Sequence, residues 1–126
     1  AEALDTGDIL DQETVALDEK ETGGSLHDKL SAIGGRLIIK TLKKLEDGTA
    51  VRTVQDEKET CYVGMIKKSK GDIDWSQDAV SIERLIRGLN PWPSAYTGWE
   101  GRIIKLWEAD VLEEEYEGAC GQVVKP

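Results

Sequence analysis

The sequence predicts an α+β fold in which helices and short strands follow one another along the chain. Three observations support this prediction. Apolar residues recur every three or four positions between residues 26 and 45, which is the period of one helix face. A second and shorter helical pattern stops before Pro91. After it, two short apolar runs flank a glycine-containing turn, which is the pattern of a β-hairpin.

The N-terminal stretch mixes short apolar runs with acidic residues. It predicts one or two strands around the turn Asp5-Thr6-Gly7, built on Leu4, Ile9, Leu10, Val15 and Leu17. An aspartate held in a tight turn at a strand edge can act as a general base. A surface turn without chemistry is the other interpretation, and the residues alone leave both open.

The long helical pattern has recognisable ends. Ser25 with Asp28 is the expected N-terminal cap, and Gly48 is the expected left-handed stop. Gly34 and Gly35 each weaken the helix by about 1 kcal/mol relative to alanine, so we expect a bend or a close neighbour there. The apolar stripe comprises Leu26, Leu30, Ile33, Leu37, Thr41, Leu42 and Leu45.

A charged segment over residues 49–73 has no sustained period and predicts an extended linker. We expect it to be held by a small apolar island of Tyr62, Val63, Met65 and Ile66. Ser76 is the expected cap of the next helix, which ends near Gly88. The expected buried side of that helix comprises Val80, Ile82, Leu85, Ile86 and Leu89.

The stretch after the second helix begins with "NPWP". Pro91 and Pro93 each fix φ, so we expect a stiff bend that positions Trp92 as a core plug or as a contact surface. A hairpin turning at Glu100-Gly101 follows, and residues 121–126 predict a third strand.

Composition limits the kinds of partner. The 126 residues carry a formal net charge of −9, which disfavours free-standing nucleic-acid binding and docking on anionic lipid. No apolar run is long enough to span a bilayer. Cys61, Cys120 and His27 lack the spacing of metal ligands, so no metal is expected.

Four stretches, in order, resemble methionyl-tRNA formyltransferase. "LDTGDIL" resembles the aspartate loop of that family, and "TGGSLHDKLSAIGGRLIIKTLKKLEDGT" resembles the last helix of its formyltransferase domain. "QDEKETCYVGMIKKSKGDIDWS" is similar to its connecting segment. "AVSIERLIRGLNPWPSAYTGWEGRIIKLWEA" is similar to the start of its C-terminal domain, and this run is the most specific.

The resemblance implies a domain organisation. Residues 1–48 would be the last strands and helix of a Rossmann-like formyltransferase domain, and residues 49–73 a linker. Residues 74–126 would begin a C-terminal β-barrel similar to an OB fold. The chain would then be an internal fragment.

The resemblance also implies a reaction. The family transfers a formyl group from 10-formyltetrahydrofolate to the amino group of methionyl initiator tRNA, in translation initiation, with a catalytic Asn, His and Asp. Asp5 corresponds to the aspartate, and the Asn and His would precede residue 1. We therefore expect the 126-residue chain alone to be inactive. The parent enzyme is expected to be a cytoplasmic monomer that uses no metal.

Basic residues are the candidates for contact with substrate or tRNA. They are Lys67, Lys68, Arg84 and Arg87. The two arginines share a helix face and could instead pair with Glu83 and nearby acids.

The chain departs from the family pattern at two positions. Met65 stands where a lysine is usual, and Ser94 stands where a glycine usually follows "NPWP". Loss of the charge at position 65 could weaken contact with substrate or RNA.

Other functions fit the same residues. One alternative is a fragment of a sugar-nucleotide formyltransferase or of a formyltetrahydrofolate hydrolase, which share the architecture. Another is a non-catalytic interaction module that binds a partner through Trp92, Tyr96, Trp99 and Trp107.

Overall fold

A computed structural model describes residues 5–114 and 116–124. Along the chain lie helix α1 (Gly23–Glu46), helix α2 (Ala79–Gly88), and strands β1 (Ala95–Trp99) and β2 (Arg102–Leu106). Short 3₁₀ turns occupy Glu57–Glu59 and Lys68–Gly71. The predicted α+β class is confirmed, whereas its Rossmann-like and barrel details stay predictions.

The described residues form two compact units. One is drawn from Ala1–Leu17 and His27–Gly64, and the other from Asp18–Leu26 and Met65–Pro126. Helix α1 gives its first turn to the second unit and the rest of its length to the first.

Helix α1 begins with a reciprocal cap. Thr22 Oγ1 accepts a hydrogen bond from the Ser25 N–H, and Ser25 Oγ accepts one from the Thr22 N–H, both at 3.0 Å. Thr22 is thus the N-cap and Ser25 the third helical residue, as in a capping box. The prediction that Ser25 and Asp28 form the cap was wrong, because the helix begins earlier, at Gly23.

Helix α1 ends as the sequence predicts. Gly48 has a φ of 68°, and its N–H donates to Leu45 O at 3.3 Å. The Thr49 N–H donates to Lys44 O at 2.8 Å. Together these two bonds make a Schellman motif, which satisfies carbonyls that the last turn leaves unpaired.

The middle of α1 lacks the close neighbour that its glycines suggested. A Cβ on Gly34 or Gly35 would meet no atom within 4 Å, so the expected close neighbour is absent among the described residues, whereas the alternative of a bend stays a prediction. Thr41 is the buried residue of α1. Among the predicted stripe, Leu30, Leu42 and Leu45 are exposed.

The N-terminal stretch is held by one bridge and by ion pairs. The N–H groups of Ile9 and Thr53 each donate to the other's carbonyl, at 2.8 and 2.9 Å. No strand forms over the described residues 5–17, so that prediction was wrong, and Leu4 lies outside the described residues. Two residues after Ile9, Asp11 forms an ion pair with Lys44 of α1.

The predicted linker is not held by an apolar island. Tyr62, Val63 and Met65 are 95, 81 and 92% exposed, so the predicted anchor was wrong. No apolar surface among the described residues covers these side chains.

Helix α2 is capped by Asp78 rather than by Ser76. The Asp78 carboxylate accepts hydrogen bonds from the Ser81 N–H at 2.9 Å and from Ser81 Oγ at 2.7 Å. Ser76 instead donates to Asp74, through its N–H at 3.0 Å and its Oγ at 2.6 Å. The predicted end at Gly88 is confirmed.

The core of the second unit is small. Ile73, Ile86 and Ala95 form its buried centre, against which Trp75, Ile82, Leu85, Leu106 and Ala109 pack. Leu89 is buried as well. Val80 was expected in this core but is exposed, because it lies in the first turn of α2, away from Ile86.

The proline corner, residues 89–94, is held by hydrogen bonds from Ser94 to backbone carbonyls. The peptide bonds before Pro91 and Pro93 are both cis. The Ser94 N–H donates to Leu89 O and Ser94 Oγ to Pro91 O, each at 3.0 Å. Trp92 is 61% exposed, so its interpretation as a core plug was wrong for the described residues.

The hairpin forms as predicted. Strands β1 and β2 pair antiparallel with Trp99 opposite Arg102, which leaves a two-residue turn. Glu100 and Gly101 have φ values of 46° and 75°, as a type I′ turn requires. Residues 121–124 form no strand, so the third strand was wrong there, and residues 125–126 lie outside the described part.

Gly71 provides a test of the packing in the second unit. A Cβ at this position would overlap the Ser94 carbonyl oxygen, so one of two backbone segments must shift. We expect Gly71→Ala to lower the free energy of unfolding by about 1–3 kcal/mol, measured by urea denaturation.

Gly98→Ala is the matched control for Gly71→Ala. A Cβ on Gly98 would meet nothing within 4 Å, so we expect a change within about 0.5 kcal/mol. Equal stabilities of the two variants would contradict the close approach.

Candidate functional site

The aspartate predicted to be catalytic lies in an exposed turn. Asp5 has a φ of 61°, a left-handed conformation that residues other than glycine adopt at a cost. Gln55, from the segment that pairs with this stretch, holds the turn. Its Nε2 donates to Asp5 O at 2.9 Å and to Gly7 O at 2.6 Å. The turn is therefore fixed by a side chain about fifty positions away in sequence.

The bridge between Ile9 and Thr53 brings Gln55 to the turn. Antiparallel pairing in this register sets the residue two positions after Thr53 opposite the residue two positions before Ile9. Those residues are Gln55 and Gly7. The amide of Gln55 thus reaches the turn carbonyls without a long excursion of the chain.

Asp11 anchors the segment that follows the turn. Its carboxylate accepts hydrogen bonds from Lys44 Nζ at 2.6 Å and from Thr41 Oγ1 at 3.4 Å, and Lys40 Nζ lies 3.9 Å away. The hydrogen bond from Lys44 is the main cause that holds the pKa of Asp11 below its ordinary value. The segment is therefore fastened to the last turns of α1.

The four basic candidates all belong to the second unit, whereas Asp5 belongs to the first. Lys67 and Lys68 are exposed at the start of a 3₁₀ turn, and Arg84 is exposed on α2. Arg87 is engaged internally. Its Nε donates to Glu83 at 2.9 Å, and its guanidinium donates to Glu21 O at 2.8 Å. The pairing with Glu83, left open from the sequence, is formed by Arg87.

Aromatic side chains line the hairpin and the strand end that follows it. Trp99 and Trp107 are 44 and 48% exposed, and Lys105 Nζ lies 5.8 Å from the Trp107 ring centroid. That distance permits a cation–π contact. The orientation of the Trp75 ring is fixed by a hydrogen bond, in which its Nε1 donates to Thr97 Oγ1 at 2.9 Å.

The other reactive side chains, His27 and the two cysteines, are exposed in the described part of the chain. His27 is exposed, with its Nδ1 3.5 Å from Asp28 Oδ1. Cys61 and Cys120 are exposed, free thiols. Within residues 5–114 and 116–124, no three His, Cys, Asp or Glu side chains gather as metal ligands would. No helix in this part is long and apolar enough to cross a membrane.

Comparison with known proteins finds a match for the C-terminal part of the chain. Residues 65–126 match the model of the formyl transferase C-terminal domain. The matched residues contain α2, the proline corner and the hairpin.

Similarity to known formyltransferases extends over nearly the whole chain. The chain is 53% identical over 121 residues to the methionyl-tRNA formyltransferase of Agathobacter rectalis, which covers 94% of this chain and 39% of the relative. It is 55% identical over 128 residues to that of Lachnospira eligens, covering 98 and 41%. For Clostridioides difficile the identity is 44%, covering 98 and 40%.

Two facts follow from these comparisons. The resemblance found in the sequence is confirmed. The chain spans about two fifths of the length of the curated relatives that it matches.

The sequence signals for these site features differ in strength. The aspartate loop could be found by its resemblance to the formyltransferases. Gln55 was missed, because it lies in a segment without period and its partners are distant in sequence. No local pattern distinguishes it from other exposed glutamines.

The Asp11 anchor predicts a dependence of stability on pH. Because the folded pKa is depressed, the stabilisation is present above the ordinary aspartate value of 3.8 and is lost as pH falls through the lower folded value. We expect Asp11→Asn to lower the urea midpoint at neutral pH. The difference from wild type should shrink as the solution is acidified below 3.8. A difference that stays constant with pH would contradict the anchor.

Proposed function

We propose that the chain is part of an enzyme that transfers a formyl group from 10-formyltetrahydrofolate to the amino group of methionyl initiator tRNA. The main support is the identity of 53 and 55% to proteins that bear the name methionyl-tRNA formyltransferase. The similarity to the Lachnospira eligens protein includes both the Asp5 turn and the proline corner, since it covers 98% of this chain.

The reaction needs a group that handles a proton. The amino group attacks the formyl carbon to give a tetrahedral oxyanion, and the amine loses a proton. The oxyanion then collapses, the bond between the formyl carbon and N10 of the donor breaks, and tetrahydrofolate leaves with a proton on N10. In this proposal Asp5 orients a histidine of the whole enzyme and polarises water, so that the proton leaves as the new C–N bond forms. The exposed position of Asp5 and its left-handed backbone support this role, because strained residues concentrate at active sites.

The proposed acceptor also needs a basic surface. Lys67, Lys68 and Arg84 are exposed within one unit and could contact phosphate, although the net charge of the chain is −9. Local positive potential can coexist with a negative total. Arg87 acts in this proposal as a structural residue, because its guanidinium is already bonded to Glu83 and Glu21.

The alternatives have less support. The relatives named above bear the name of the tRNA enzyme, which favours it over a sugar-nucleotide formyltransferase or a formyltetrahydrofolate hydrolase. Trp92, Trp99 and Trp107 are all partly exposed, as an interaction module would have them. An enzyme with a large RNA substrate also needs contact surface, so this exposure does not separate the two hypotheses.

Asp5 provides the test of the proposed reaction. In the whole protein that carries this sequence, we expect Asp5→Asn to lower kcat for formyl transfer by about 10²–10⁴-fold, because an amide replaces the proton-handling carboxylate. The Kd for methionyl initiator tRNA should stay unchanged. Both are measured with purified protein, by transfer of labelled formyl group and by filter binding.

Asp8→Asn is the matched control, because Asp8 is exposed in the same stretch and its replacement removes the same charge. We expect wild-type kcat for this variant. Wild-type activity of Asp5→Asn, or equal reductions in both variants, would count against a catalytic role of Asp5.

The basic surface provides an independent test. We expect the double variant Lys67→Gln/Lys68→Gln to bind tRNA more weakly, with the slope of log K against log salt reduced by about 0.7–0.9 for each phosphate that is no longer neutralised. At saturating tRNA, kcat should be unchanged. Lys58→Gln, which alters an exposed lysine of the other unit, should keep the wild-type slope. An unchanged slope in the double variant would remove these lysines from the surface.

A further inference from the structure

We propose that Gln55 is a positioning residue, which holds the Asp5 turn in the orientation that the reaction uses. This inference rests on the proposed function, since it gives Gln55 a role through Asp5. It concerns a residue in a segment that the sequence marked only as a linker.

The geometry of the amide supports this role. One nitrogen, Nε2 of Gln55, donates both of its hydrogens to carbonyls on either side of Thr6, at 2.9 Å to Asp5 O and 2.6 Å to Gly7 O. An amide NH₂ group offers two donors, whereas a carboxylate of the same shape offers none. Glutamine is therefore required here by its donor chemistry and not only by its size.

The conformation of the turn requires such support. Asp5 has a φ of 61°, and a residue with a side chain stays in this region only where its surroundings fix it. A turn freed from the amide can rotate the Asp5 carbonyl and, with it, the Cα–Cβ bond that aims the carboxylate. Misplacement of a catalytic group by about 1 Å can cost 10²-fold in rate.

The rest of the unit presents Gln55 to the turn in a fixed position. The bridge between Ile9 and Thr53 has two backbone hydrogen bonds, of 2.8 and 2.9 Å. It sets the register in which Gln55 faces Gly7. Only the side-chain torsions of Gln55 then remain to be ordered when its amide bonds to both carbonyls.

The experiment uses the whole protein that carries this sequence, in steady-state formyl transfer to methionyl initiator tRNA. We expect Gln55→Glu and Gln55→Ala each to lower kcat by about 10–100-fold, with KM for the tRNA unchanged. Gln12→Glu is the matched control, because it places the same new charge on an exposed glutamine of the same unit. It should keep the wild-type kcat.

A double-mutant cycle separates positioning from a general structural effect. If Gln55 acts through Asp5, then Gln55→Ala should lower kcat no further once Asp5→Asn is present. Hydrogen exchange gives a readout apart from activity. The amides of residues 6–8 should exchange faster in Gln55→Ala than in wild type, and at the wild-type rate in Gln12→Glu.

The outcomes can be told apart. A wild-type protein without formyl transfer would overturn the proposed function, and this inference with it. An active wild type with wild-type kcat in Gln55→Glu and Gln55→Ala would overturn the inference alone. So would reductions in kcat that multiply in the Asp5→Asn/Gln55→Ala variant, or amides at 6–8 that exchange at the wild-type rate without Gln55.

Discussion

The hydrogen bond from the Ser94 N–H to Leu89 O closes the corner on which the second unit depends. It joins the end of α2 to the start of β1 across two prolines that cannot donate. The Ser94 carbonyl then faces Gly71 so closely that a Cβ has no room there. On the other side of the corner, the Gly24 N–H of α1 donates to Asn90 O at 2.9 Å. Three separate chain segments thus meet through backbone groups.

Backbone contacts are needed to hold these segments together because the apolar core is small. Within the described residues, the buried hydrophobic side chains are those of Ile73, Ile86, Leu89 and Ala95. Polar groups supplement them at defined points, such as Asp11 with Lys44 and Arg87 with Glu83. These local pairs explain how a chain with a net charge of −9 fastens its segments. They also explain why Arg87 is a poorer candidate for contact with a substrate than Lys67 and Lys68, which remain exposed.

Features decided by local backbone chemistry could be predicted from the sequence. Gly48 ends α1 because glycine accepts a positive φ, and Glu100-Gly101 forms the hairpin turn for a similar reason. The two N-caps were misplaced by a few residues, because serine, threonine and aspartate near a helix start all suit the role. The least accurate predictions were those of which side chains are buried. Val80 and Tyr62 were expected to be buried, and periodicity cannot show whether a covering surface exists.

In the candidate site too, some features depend on neighbouring residues and others on residues that are distant in sequence. The aspartate loop has a recognisable sequence, so Asp5 could be found from its own neighbours. The residue that holds the Asp5 turn could not be found in this way. Its hydrogen bonds are donated by Gln55, which faces the turn only because Ile9 pairs with Thr53. A segment without periodicity, which resembles a simple connection in the sequence, supplies the amide that bonds to both carbonyls of a turn with positive φ. The Asp5 turn and Gln55, which holds it, belong to the same unit, although Gln55 lies in the predicted linker.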